Sequence, residues 1–128
     1  MNFPSDLRYT KTHEWVRRDG KEVSVGITDY AQKEISDVVF VELPKTGKQG
    51  QAGKPVAVVE SVKAAFDIYA PVNGSVTKVN SALEGDPALV NADCYGKGWF
   101  FSMTLDNPAD WDNLMTKEVY EKSLKTEV

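Results

Sequence analysis

The residue of this sequence best suited to covalent chemistry is Lys63, at the centre of the stretch PVAVVESVKAAFDIYAP, residues 55–71. The stretch is rich in strand-forming residues but too long for one ordinary strand, since most strands have about 3–10 residues. The chain must therefore reverse within it, although no Asn-Gly, Asp-Gly or Gly-Gly pair marks the place. A lysine on such a turn presents an accessible amine, and covalent attachment of a group would lengthen its four-carbon stem into a swinging arm.

Side-chain alternation predicts the register of this hairpin. With Val62 and Lys63 as the central turn residues, Lys63 projects into water and small residues leave it uncrowded. Positive φ angles are strongly unfavourable for valine, so we expect a turn other than the common primed types. The register predicts an apolar, buried face of Ala57, Val59, Phe66 and Ile68, and a mixed face of Val58, Glu60, Asp67 and Tyr69.

The pattern alone is compatible with two roles for Lys63. A lysine at a loop tip often serves only to keep the surface soluble, and short motifs match by chance. Alternatively, another protein recognises the rigid protrusion and modifies the amine.

Other reactive side chains do not form a recognisable catalytic or metal site. His13 is the only histidine and Cys94 the only cysteine, too few for a usual zinc site. His13 is expected to be a structural hydrogen-bonding residue, and Cys94 has no CxxC or histidine partner in the sequence. The glycines of GKG, residues 96–98, lead into a strand and are not a phosphate loop.

The segments around the hairpin predict a mainly β fold. Short strand-like runs separated by turn signals suggest an antiparallel sandwich or flattened barrel. A short helix is expected in TDYAQKEI, with Thr28 or Asp29 as N-cap, and a helical tail should begin at Asn107 and Pro108. We expect one domain over residues 1–128, with a core at about 9–105 and a helical extension at 107–125. The predicted strands span residues 13–18, 22–27, 37–43, 74–80 and 98–105.

Composition narrows the class of protein. The 128 residues carry a net charge of −4 and have a pI near 5.0, which argues against nucleic acid as a partner. The single cysteine fits a reducing compartment. Without a signal-like or transit-like N-terminus or an apolar membrane span, we expect a cytoplasmic, bacterial-type monomer.

Several motifs together are similar to those of one family. The segment ESVKAAFDIYAPVNGSV resembles the lipoyl-attachment region of the glycine cleavage system H proteins. THEWV, VGITDYAQ, VVFVELP and NADCYGKGW also resemble H-protein motifs, in the family's order and spacing. The resemblance covers nearly the whole chain and implies a lipoyl/biotinyl-type barrel-sandwich hybrid with a short internal helix and C-terminal helices.

The resemblance implies a carrier and not an enzyme, with lipoic acid in amide linkage to Lys63. Its oxidised arm would receive the aminomethyl group of glycine at the glycine decarboxylase (P protein) and deliver it to the aminomethyltransferase (T protein). Dihydrolipoamide dehydrogenase (L protein) would then reoxidise the arm. A lipoyl ligase or lipoyltransferase would recognise the hairpin through Glu60, Ser61, Val62 and Ala64.

The resemblance also implies a cleft into which the loaded arm folds back, away from water. Glu14 and Asp67 match acidic family positions, and Thr12 and Ser61 would add hydroxyl groups. Equally, Asp67 is read as an exposed strand residue and Glu14 as an edge-strand charge. Some family members have a histidine where this chain has Glu34, which removes that contribution to the cleft.

Four alternative functions exist for such a hairpin, and the sequence disfavours two of them. An H-like protein could relay lipoyl groups to other complexes, and the sequence does not separate that role from glycine cleavage. A biotin carrier would have methionines beside the lysine, and a 2-oxoacid dehydrogenase domain would have an aspartate before it; Val62 and Ala64 fit neither pattern. A binding domain with an unmodified Lys63 would tolerate Lys63→Arg.

Overall fold

The computed structural model describes residues 1–125, in which two antiparallel sheets carry most of the regular structure. The strands are β1 (Arg8–Tyr9), β2 (Glu14–Asp19), β3 (Glu22–Ile27), β4 (Val38–Glu42), β5 (Gln49–Gly50), β6 (Pro55–Ser61), β7 (Ala65–Tyr69), β8 (Gly74–Val79) and β9 (Phe101–Thr104). The helices are α1 (Asp29–Ile35), α2 (Ala82–Gly85), α3 (Leu89–Ala92), α4 (Pro108–Asp112) and α5 (Lys117–Lys125). The predicted mainly β class is confirmed.

The larger sheet has the strand order β1-β2-β3-β9-β8-β5, and the smaller sheet has the order β4-β6-β7. Valine, isoleucine and phenylalanine side chains from both sheets form one buried cluster between them. Burial of this apolar surface is the main favourable contribution to folding. The smaller sheet consists of the hairpin β6–β7 with β4 at one edge, so it is the part that presents Lys63.

Helix α1 forms where the capping signal predicts it. Thr28 is the N-cap, and its hydroxyl accepts a hydrogen bond from the Ala31 amide at 3.2 Å. Asp29 instead occupies the first helical turn and accepts a hydrogen bond from the Gln32 side chain at 2.8 Å. Ile35 is buried on the inner face of this helix, which fixes the helix beside the hairpin.

The C-terminal tail forms two helices, α4 and α5, which agrees with the expected C-terminal helices of the extension. The Asn107 side chain caps α4 by accepting from the Ala109 amide, and Pro108 occupies the first turn, as predicted. Met115 lies in the short segment between the two helices, and it exchanges two backbone hydrogen bonds of 2.8 Å with Tyr9. These bonds hold the segment against β1. Tyr120 is fully buried against Tyr9, with ring centroids 4.8 Å apart, so the tail docks on the sheet as expected.

Two further short helices were not predicted. Helices α2 and α3 have four residues each, too few for a helical period to stand out in the sequence. Leu83 and Val90 anchor them by inserting into the main core. Within the described part of the chain, no helix is both long enough and apolar enough to cross a membrane. The predicted domain end at 126–128 lies outside the described residues.

Candidate functional site

The hairpin β6–β7 has the predicted register. Val59 pairs with Phe66 and Glu60 with Ala65, and the Ser61 amide donates to the Ala64 carbonyl at 2.9 Å. Val62 and the exposed Lys63 are therefore the central residues of the turn. This register places Lys63 in the turn at the end of the hairpin.

This turn lacks the glycine or asparagine of common hairpin turns, and the Ser61 side chain stabilises it by hydrogen bonds to the backbone. Its hydroxyl oxygen lies 3.1 Å from the Lys63 amide and 3.4 Å from the Ala64 amide, which both donate to it. Such a local hydrogen bond from a serine favours a turn. Among the described non-glycine residues, only His13 and Ser36 have positive φ, so the turn avoids the conformation that Val62 resists. The Ser61 hydroxyl is thus used by the turn.

The sequence predicted that Lys63 projects into water, whereas in the structure its amine contacts α1. Its Nζ donates a hydrogen bond of 3.0 Å to the backbone carbonyl of Glu34, in the last turn of α1. Carbonyls at a helix C-terminus lack an intrahelical partner and attract cations. The exposed lysine side chain therefore leans from the hairpin tip towards α1.

A cleft of about 320 Å³ separates the hairpin from α1. The cleft lining comes from β6, β7, α1, the end of β3 and the residues just before β2, and more of its side chains are apolar than polar. The lining residues are Thr12, His13, Ile27, Tyr30, Ala31, Glu34, Ile35, Val59, Phe66, Asp67 and Ile68. The prediction that Phe66 is buried is wrong, because its ring is 37% exposed as part of this cleft. Ala57, Val59 and Ile68, the other members of that predicted face, are buried.

Of the predicted cleft residues, Thr12 and Asp67 lie together in the lining, whereas Glu14 lies behind Thr12. The Glu14 side chain is only 1% exposed, on a strand paired on both sides, so it is not an edge-strand charge. Its Oε1 accepts from the hydroxyls of Thr10 at 2.6 Å and Thr12 at 2.5 Å, and its Oε2 accepts from the Tyr69 amide at 3.3 Å. Burial raises the pKa of Glu14 to about 7, although these hydrogen bonds oppose the rise.

Sequence reasoning placed Thr12 in the cleft but missed the contributions of the His13 ring and of the Tyr30 side chain on α1. His13 has a φ of 73°, and its Nδ1 lies 2.8 Å from the hydroxyl of Tyr120. This confirms its predicted role as a structural hydrogen-bonding residue and also places its ring in the cleft wall with Tyr30.

The remaining reactive groups do not form a second site. Cys94 is buried, and burial raises the pKa of its thiol to about 12, so the reactive thiolate is disfavoured. Over residues 1–125, no group of three or more His, Cys, Asp or Glu side chains is arranged to hold a metal ion. The chemically accessible group of the site is the Lys63 amine.

Comparisons with known proteins agree on one family. The family model described as Glycine cleavage H-protein matches residues 7–127. Glycine cleavage system H proteins of Acinetobacter baumannii and Thermus thermophilus are each 53% identical to this chain. The first alignment covers 97% of this chain and 100% of the relative, and the second covers 99% of both. A crystal structure of a glycine cleavage system H protein from Mycobacterium marinum aligns with a TM-score of 0.88 and 36% identity, over 96% of this chain and 99% of that one.

Proposed function

The chain belongs to the glycine cleavage H-protein family and is a non-catalytic lipoyl carrier of the glycine cleavage system, and we propose that Lys63 is the residue that carries the lipoyl group. We further propose that the whole chain acts as a single carrier domain. The observation that supports Lys63 most directly is its exposed position as a central residue of a two-residue turn. The rigid hairpin holds the amine away from the sheet, while Ser61, Ala64 and Ala65 beside it are small.

The residues next to Lys63 fit a long, apolar arm. The cleft begins beside the hairpin, and its walls include Ile27, Ile35 and Val59. Such apolar walls favour a hydrocarbon chain and exclude water, which protects a hydrolysable adduct. When attached, lipoic acid would supply a disulfide that can accept an aminomethyl group and electrons.

Polar residues of the cleft are suited to hold a cationic amine at the end of the arm. The exposed Asp67 carboxylate would attract it by about 0.2–1 kcal/mol, as is usual for exposed ion pairs. Because Thr12 donates its hydroxyl proton to Glu14, its oxygen remains an acceptor. Glu14 therefore orients Thr12, and we propose that Thr12 and Asp67 make the direct contacts.

The partners follow from this role. We propose that the Lys63 arm exchanges its load with the P and T proteins and its electrons with the L protein, and that a lipoyl ligase or lipoyltransferase loads it. Hairpin residues Glu60, Val62 and Ala64 would contact the loading enzyme because they flank the amine within one turn.

Peptide mass spectrometry of the chain purified from a lipoylating host tests the assignment. We expect a lipoyl-amide mass increment on the peptide that contains Lys63, and loss of the increment in Lys63→Arg. Lys54→Arg is the matched control, because it changes another exposed lysine in the loop before β6. An increment on a different lysine, a biotin increment, or an unmodified Lys63 beside other lipoylated proteins of the host would contradict the proposal.

A further inference from the structure

Exposed apolar side chains are concentrated at the Lys63 end of the smaller sheet. The large hydrophobic residues that the described chain exposes are Met1, Val39, Phe40, Val62, Phe66 and Val119. Four of these six lie on β4 and the hairpin, and one of the four, Phe66, lines the cleft. The other three, Val39, Phe40 and Val62, are named here the bulge patch.

A β-bulge exposes two members of this patch, Val39 and Phe40. Strict alternation would put Val39 on the same face of β4 as the buried Val41. The pairing with β6 shifts between Val38 and Phe40, so that Val38 and Val41 are buried while Val39 and Phe40 are 54% and 52% exposed. Bulges of this kind redirect side chains and are frequent next to functional sites. The irregularity turns two adjacent apolar side chains into solvent.

The bulge patch lies directly beside the turn that carries Lys63. Phe40 pairs with Glu60, three residues before the lysine, and the Val62 amide donates to the Asp37 carbonyl at 3.0 Å. Phe66 pairs with Val59, whose side chain points to the opposite face from Glu60. The patch therefore lies on the opposite face of the hairpin from Val59 and Phe66, the hairpin's apolar contributions to the cleft near the turn.

We propose that the bulge patch is the docking surface for the enzyme that acylates Lys63, an inference that rests on the proposed function. In that reaction the deprotonated Lys63 Nζ attacks the carbonyl carbon of the mixed anhydride between lipoate and the phosphate of the nucleotide. The new C–N amide bond forms, the C–O bond to the activating phosphate breaks, and the nucleotide phosphate leaves with that electron pair. The ammonium form of Lys63 loses one proton to solvent before the attack and a second proton after it. Docking must also release Nζ from the Glu34 carbonyl.

The reach of the arm favours this partner over the enzymes that use the loaded carrier. An acylating enzyme must bring its carbonyl carbon to Nζ itself, so its surface has to close on the hairpin within the length of one lysine side chain. Enzymes that react with the far end of the arm are separated from the hairpin by the whole lipoyl chain. Apolar side chains at the base of the lysine are thus within reach of the acylating enzyme in every productive complex.

The charged residues around the bulge patch indicate which surface of the acylating enzyme would be complementary to it. Segments 37–43 and 56–69 contain four acidic residues, Asp37, Glu42, Glu60 and Asp67, and Lys63 as their only basic residue. The matching surface on the enzyme therefore has an apolar centre and a basic rim. Such complementarity accelerates association and weakens as salt is added.

The test measures acylation of purified, unmodified variants by a lipoate-protein ligase supplied with lipoate and ATP, with intact mass as the readout. We expect Phe40→Ser to lower kcat/KM about tenfold, the range of a well-buried interface side chain, and Val39→Ser to lower it less. Val119→Ser is the matched control, since it removes an equally exposed valine on α5, and its kcat/KM should equal that of the wild type.

A second measurement separates the docking surface from the carrier role. Phe40→Ser driven to complete acylation with excess ligase should support glycine decarboxylation like the loaded wild type. Wild-type acylation of both bulge variants would overturn the docking proposal alone, while an equal loss in decarboxylation would overturn its assignment to the acylating enzyme. If wild-type Lys63 accepts no lipoyl group, the proposed function fails and the docking proposal fails with it.

Discussion

The carboxyl group of Glu14 makes the stability of this fold depend on pH in an unusual direction. Burial raises its pKa from 4.5 to about 7 in the folded state, against hydrogen bonds from Thr10, Thr12 and Tyr69 that favour the charged form. Glu14→Gln keeps the size of the side chain and removes its ionisation. The variant therefore isolates the contribution of this one proton.

The sign follows from which state holds the proton. Between pH 4.5 and about 7, the folded state keeps a proton on Glu14 that the unfolded chain has released. The free energy of unfolding consequently falls as the pH rises through this window, by about 3 kcal/mol in total at 1.36 kcal/mol per pKa unit. Above about pH 7 this contribution has been lost and changes no further.

The wild type should be more stable than Glu14→Gln at acid pH and less stable at alkaline pH. At pH 5, Glu14→Gln should be about 1 kcal/mol less stable than the wild type, because its amide cannot satisfy all three donors around the carboxyl group. At pH 8.5 the variant avoids burial of a charge and should be about 2 kcal/mol more stable than the wild type. The two curves of unfolding free energy against pH should therefore cross.

Urea unfolding at several pH values from 5 to 8.5, at constant ionic strength, measures both curves. Groups that titrate in both proteins cancel in the difference between them. A difference that stays constant within about 0.5 kcal/mol across this range would refute the assignment of the pKa shift to Glu14. Thr12→Val offers a second check, since loss of a donor to the carboxylate should extend the decline to higher pH.

Three further predictions concern the lysine, a glycine and two tyrosines. Lys63→Arg should abolish lipoylation, yet change the urea-unfolding free energy by less than about 0.5 kcal/mol, because the side chain is exposed; a larger loss would show that the contact with α1 supports the fold. Gly26→Ala should destabilise by about 1–3 kcal/mol in the same assay, since its Cβ would lie 2.5 Å from the buried Trp15 ring; a neutral result would mean that the ring can move. Tyr120→Phe should lower the unfolding free energy by about 2–3 kcal/mol, because the Tyr120 hydroxyl contacts both the α1 cap and the residue before β2. Tyr9→Phe removes the hydrogen bond to the Pro4 carbonyl and should lower it by about 1 kcal/mol. Equal losses in the two variants would contradict this ranking.

The hairpin register could be predicted because alternation leaves few choices. Moving the turn by one residue would exchange Val59 and Glu60 between faces and bury a carboxylate. The same logic fails on β4, where the run VVFV is apolar at every position. No alternating pattern exists there to reveal that the bulge exposes Val39 and Phe40.

The cleft could be predicted only in part, because its walls come from segments distant in sequence. Asp67 lies beside Lys63 on the hairpin, so its place near the arm follows from the register. The approach of α1 depends on tertiary packing, which brings the Glu34 carbonyl to the Lys63 amine across 29 positions of the chain. Phe66 was expected to be buried because the sequence does not show that the packed elements leave a cleft at that point.

The alternation of β6 explains how one short hairpin can serve two successive purposes. Val59 and its partner Phe66 face the cleft, whereas Glu60 and its partner Phe40 face the opposite side. A protein docked on the Phe40 side leaves the cleft open, so acylation and storage of the arm need not compete for the same surface. Because Lys63 stands at the end where the two faces meet, its arm can react on one side and fold back on the other.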